Sequence, residues 1–118
     1  MFIERLNGGI NMGYMRHHAI IVTSWDDTKL KLAHIKALEL FSTQVSIIVP
    51  SPINGYTSFF IAPDGSKEGW EDSNIGDRKR SEFIAYVENR DRYDFSSLSY
   101  CEVYYGDDEG NCQIVEHN

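Results

Sequence analysis

The chain has 118 residues and a mass of 13.5 kDa, and it is 42% hydrophobic, 25% charged and 13% aromatic. That is room for one domain with its own core, and it excludes a disordered tail, a collagen-like rod and a disulfide-dense miniprotein. Eighteen acidic against 11 basic side chains leave a net charge of −7, the wrong sign for a protein that grips nucleic acid by its phosphates.

Residues 1–14 contain two breaker clusters, Asn7-Gly8-Gly9 and Asn11-Met12-Gly13. They read as a loosely ordered extension to a single domain over 15–118. No basic segment followed by an apolar one marks a secretion signal, and no run approaches the roughly 18 apolar residues of a membrane helix. A cytoplasmic protein is expected.

His17–Ser24 is the first strand. Ala19, Ile21 and Thr23 alternate with His18, Ile20 and Val22, so both faces are largely apolar and the strand belongs inside a sheet. Thr23 or Ser24 is placed to cap a helix, with Asp26 and Asp27 in its first turn. That helix runs to about Phe41, with Leu30, Ala33, Ala37, Leu38 and Phe41 on the buried stripe and Lys29, Lys36 and Glu39 toward water. Val45–Val49 is a short β-branched run stopped by Pro50-Ser51-Pro52. Asn54-Gly55 turns the chain into a third strand over Tyr56–Ala62, again apolar on both faces. After the turn Pro63-Asp64-Gly65, residues 66–76 read as either a short strand around Lys67–Trp70 or a loop. Asp77 is positioned to cap a second helix to about Asn89, with Phe83, Ile84 and Val87 buried. Arg78, Lys79 and Arg80 then occupy its first turn, where the helix dipole opposes cations.

Leu98–Tyr105 and Cys112–His117 form a terminal hairpin. A four-residue loop over 107–110 pairs Val103 with Ile114 and Tyr105 with Cys112, and sets Cys101 opposite Glu116. The two thiols are then about 13 Å apart at 3.3 Å per residue, beyond disulfide reach. A five-residue loop puts them on opposite faces, so free, inert core cysteines are expected with either. In the four-residue register Cys101, Val103, Tyr105, Cys112 and Ile114 share the inferred core face. The order strand, helix, strand, strand, helix, strand, with one further strand, is that of a ferredoxin-like βαββαβ sandwich with an antiparallel sheet and an extra C-terminal strand, an α+β fold.

Signs of catalysis are few. His17 and His18 are adjacent in a strand and face opposite ways, His34 lies mid-helix as a partly buried structural residue, and His117 is next to last. No H-x-x-x-H, C-x-x-C, Walker loop or G-x-G-x-x-G is present, so neither a metal nor a cofactor is expected. The segment 50–77 is the most distinctive. Asn54, Tyr56, Lys67 and Trp70 combine aromatic and polar groups suited to a ligand or partner. Alternatively Trp70 closes over the core and Tyr56 packs on the sheet edge. Tyr100, Glu102 and Tyr104 share the other face of their strand, as an exposed row that suits a protein interface or as cross-strand packing.

Charge is also uneven. Residues 64–77 carry −4 and residues 94–118 carry −6 with no Lys or Arg, while 78–92 carry +2. An acidic surface of this kind either keeps the protein soluble or docks on a basic partner.

The stretches His17-His18-Ala19-Ile20-Ile21-Val22-Thr23-Ser24-Trp25, Asn54-Gly55-Tyr56 and Ala62-Pro63-Asp64-Gly65-Ser66-Lys67-Glu68-Gly69-Trp70 resemble a family of small uncharacterised proteins from bacteriophages and prophages. The resemblance runs from about Met15 to Gly110 and transfers no catalytic role. It implies a bacterial cytoplasm and a phage or mobile-element gene of accessory kind. The acidic terminal segment, the aromatic row and the lack of a catalytic motif then lead to the expectation of a non-enzymatic protein that binds a host or phage protein. A small, nucleotide-like ligand, a second copy of the chain and an enzyme with a dispersed site stay open as alternatives.

Overall fold

His17–Ser24 (β1), apolar on both faces, takes the middle place of five strands, as its pattern indicates. The computed structural model describes residues 15–89, 94–106, 110 and 112–118; the extension expected over 1–14 lies outside them. Asp27–Phe41 (α1), Val49–Pro50 (β2), Thr57–Ile61 (β3), Glu71–Glu88 (α2), Leu98–Tyr105 (β4) and Cys112–His117 (β5) follow. The sheet order is β2-β3-β1-β4-β5, every neighbouring pair is antiparallel, and the architecture is α+β.

Both helices pack on one face. Ile20 and Val22 of β1, Phe59 and Ile61 of β3 and Leu98 and Tyr100 of β4 meet Leu30, Ala33, Ala37 and Phe41 of α1 and Phe83, Ile84 and Val87 of α2 in one cluster. Phe83 stands edge-on to both Phe41 and Phe59, with ring centroids 6.4 Å apart in each pair. His34 donates from Nε2 to Ser46 O over 2.8 Å and lies edge-on to Phe59, the structural role expected of it.

Local chemistry explains where the elements depart from expectation. Asp26, not Thr23 or Ser24, caps α1 by accepting from the Lys29 amide. The buried Ser24 hydroxyl instead accepts from the Asp26 amide and donates to Ser97 O, which sets the turn into the helix. Leu38 is exposed, and Lys36 is half-buried between Glu39 and Glu82 above the Tyr86 ring. The strand expected over Val45–Val49 shrinks to Val49–Pro50. Its first part peels away because the Ser46 hydroxyl takes the Phe60 amide while the Ser46 amide donates to Phe60 O, leaving Val45 as an isolated bridge to Ile61.

The second helix begins at Glu71, six residues before the expected cap. Glu71 and Asp72 suit the positive end of its dipole, and Trp70 O accepts the amides of Ser73 and Asn74. Arg78, Lys79 and Arg80 therefore lie beyond the first turn, and the expected conflict with the dipole does not arise.

In the hairpin Val103 faces Ile114 and Tyr105 faces Cys112, while a bulge between Glu102 and Val103 moves Cys101 opposite His117 rather than Glu116. Both cysteines are free, but neither is a core residue: Cys101 is half-buried and Cys112 exposed.

Phe59→Ala should lower the free energy of unfolding by about 3–5 kcal/mol, since it empties space between two rings. Asp26→Ala should cost only about 1 kcal/mol, the loss of one cap. Urea titration of both variants checks the ranking, which a cap loss as large as the core loss would contradict.

Candidate functional site

The residues expected to form a binding site separate in space. Asn54 and Tyr56 sit in the turn before β3, where Asn54 takes a left-handed φ of 67° and its side chain accepts from the Tyr56 amide. Lys67 and Trp70 lie beyond the other end of β3. Thr57 pairs with Ser24 and Lys67 bridges to Met15, just before β1, so the two groups are nine residues apart along the segment 15–24, about 30 Å in extended chain. Trp70 is 46% exposed with the Lys67 ammonium 5.8 Å from its ring, so it does not close over the core. Tyr56 is also exposed.

The row Tyr100, Glu102 and Tyr104 faces inward. Tyr100 and Glu102 are buried and Tyr104 half-buried, because Tyr100 pairs with Val22 and Glu102 with Ile20 on the helix-covered face. Cys101, Val103 and Tyr105 hold the opposite face, the reverse of the expected assignment. Tyr100 donates to Glu88 Oε2 over 2.7 Å, and its burial together with that bond raises the phenol well above its ordinary range.

Around Glu102 the structure assembles a polar cluster that no local motif announces. Glu102 is 7% exposed. Its Oε2 lies 3.5 Å from Arg80 Nε and 3.9 Å from His18 Nδ1. The other His18 nitrogen, Nε2, meets Glu68 Oε2 at 2.9 Å, which ties the loop before α2 to the sheet. Arg80, 5% exposed, donates through Nη2 to Asp77. Arg16 lies over the Tyr104 ring at 4.2 Å, and His18 tilts against the same ring. Burial pushes the Glu102 carboxyl up, against the lowering influence of Arg80 and His18. Burial also acts upward on Asp64, but two hydrogen bonds from Ser66, with Arg80 and His18 nearby, hold it below the usual carboxylate range. Among the described residues no three His, Cys, Asp or Glu side chains converge as metal ligands do, and no helix is long and apolar enough to cross a membrane.

The second surface of interest is the sheet face away from the helices. Register places His17, Ala19, Ile21 and Thr23 of β1 there, beside Ser58 and Phe60 of β3 and Val49 of β2. Ser99, Cys101, Val103 and Tyr105 of β4 and Cys112, Ile114 and His117 of β5 continue it. These strand positions include no Asp, Glu, Lys or Arg. Ile21 is 47% and Phe60 38% exposed at its centre, and Val49, Tyr105 and Ile114 are exposed toward its edges.

No family model, curated protein or solved structure matches the chain.

Glu102 has a directional signature in pH. Its folded-state proton affinity exceeds the ordinary value of 4.5, so its contribution to stability is most favourable below that pH and is lost as pH rises through the folded value. Glu102→Gln removes this slope. The stability of the native chain relative to Glu102→Gln should fall between about pH 4 and neutrality, measured by urea unfolding at several pH values. A relative stability that rises over that range would show that Arg80 and His18 outweigh desolvation.

Proposed function

We propose that the protein is a non-enzymatic binding protein, a phage or mobile-element accessory factor that engages a host protein through the open face of its sheet in a bacterial cytoplasm. The observation that carries the reading is the exposed Ile21 and Phe60 at the centre of a sheet face whose strand positions include no Asp, Glu, Lys or Arg, on a chain that is 25% charged. Exposed apolar patches with polar surroundings are the usual signature of protein interfaces. The bacteriophage resemblance supplies the host context.

Charge selects the kind of partner. The edge strand β5 belongs to a terminal segment carrying −6 with no Lys or Arg, so the fitting partner has an apolar centre and a basic rim. Two copies of this chain, each at −7, would instead meet with like charge. The fold reading that accompanies this is a ferredoxin-like sandwich with β5 as the added strand. Its support is the place of β1 between β3 and β4, with both helices on one face.

A photo-cross-linking residue at Phe60 should trap a host protein in cells, and Ile21→Asp should abolish the adduct without unfolding an already exposed position. The same probe at Ile35, exposed on α1, should trap nothing. An adduct at twice the chain mass, equal trapping from Ile35, or none from Phe60 overturns the reading.

A further inference from the structure

Gly76 stands inside α2, where glycine is a poorer helix former than alanine. The structure shows what its missing side chain makes room for. A Cβ at position 76 would lie 2.8 Å from Asp64 Oδ2 and 3.1 Å from Arg80 Nη1. The carboxylate and the guanidinium thus converge over the bare helix backbone, yet they do not close into an ion pair with each other. Arg80 is 5% exposed and its Nε has no hydrogen bond, though it lies near Glu102.

This gap is part of a cleft of about 180 Å³ lined by Phe41, Asp64, Asp72, Gly76, Lys79 and Arg80, among others. Asp72, Gly76, Lys79 and Arg80 recur at helical spacing on one face of α2. Among the described residues neither Asp72 nor Lys79 forms an ion pair, so both charges are open to a ligand. Comparable cavities of about 150 Å³ hold a molecule the size of benzene, so the part of a ligand seated in the cleft is small.

We propose that this cleft binds a small zwitterion of the α-amino-acid type. Its carboxylate lies toward Lys79 and Arg80, its ammonium toward Asp64 and Asp72, and its side chain against Phe41. A simple anion would meet two carboxylates and a simple cation would meet two bases, whereas a zwitterion satisfies both within the available length. The site is separate from the open sheet face and does not depend on a partner there.

The test is an amide-resolved NMR titration of the intact chain with individual L-amino acids, using acetate and methylammonium as single-charge controls. Amino acids with apolar side chains should shift the Asp64, Gly76 and Lys79 amides at millimolar concentration, and the controls should not. Asp72→Asn and Lys79→Gln should each weaken binding about tenfold with the melting temperature retained. Gly76→Ala should abolish it, because the added methyl occupies the gap and displaces the Asp64 carboxylate and the Arg80 guanidinium. Should Gly76→Ala fail to fold, the two polar variants carry the test. No shift with any amino acid, equal shifts with either control, or undiminished binding by both polar variants overturns the proposal.

Discussion

Burying the Arg80 guanidinium between α2 and the sheet is the constraint on which the helix-covered side of the molecule turns. A cation with 5% exposure is tolerable only with anions around it. The structure recruits them from three places: Asp77 one turn earlier on α2, Glu102 from β4, and Asp64 from the turn after β3. Glu102 is itself nearly buried, and the same oxygen that faces Arg80 also faces His18 on β1. His18 passes the connection to Glu68, so the loop before α2, the helix and two strands are fastened through one set of charges. Pairs of this kind add little net stability against an apolar alternative, but removing one member leaves a buried charge uncompensated. They therefore specify how α2 sits on the sheet more than they strengthen it.

The apolar core does the complementary work. Phe59 and Phe83, with the small residues Ala33 and Ala37 on α1, let both helices approach the same face closely. Covering that face twice leaves the other without an internal partner. Its composition agrees with that position: small hydroxyl residues such as Thr23 and Ser58 bond each other across strands at 2.8 Å, while Ile21 and Phe60 stay half-open to water. The covered face is largely apolar apart from Glu102 and the His18 beside it, while the open-face strand positions include no Asp, Glu, Lys or Arg, and that bare face supports the binding reading.

Several elements were legible from local pattern. The β-branched run His17–Ser24, the helix ending at Phe41 and the terminal strands Leu98–Tyr105 and Cys112–His117 are found at the bounds their periodicity indicates. Of the two hairpin registers that local pattern left open, the structure takes the one that pairs Tyr105 with Cys112. The candidate site was much less legible. Asn54 and Trp70 look close along the chain, but β3 runs between their loops and carries them to opposite ends of the sheet. Glu68, Arg80 and His18 lie far apart in sequence, and each has an ordinary local explanation as a loop acid, a helix cation and a strand residue. The one available signal was Glu102, a carboxylate placed in an otherwise aromatic and apolar strand.

Alternation alone determined that Tyr100, Glu102 and Tyr104 share one face of β4 and that Cys101, Val103 and Tyr105 share the other. It determined the presence of two helices, the free cysteines and the location of the acidity, because each depends on neighbours in the chain. Which face of β4 turns inward was decided only by the tertiary structure. A period of two is symmetric between inside and outside, and the choice was made by pairing Tyr100 with Val22 beneath the helices. The same pairing brought Glu102 to His18 and Arg80, since a buried charge finds its partners in space rather than in sequence.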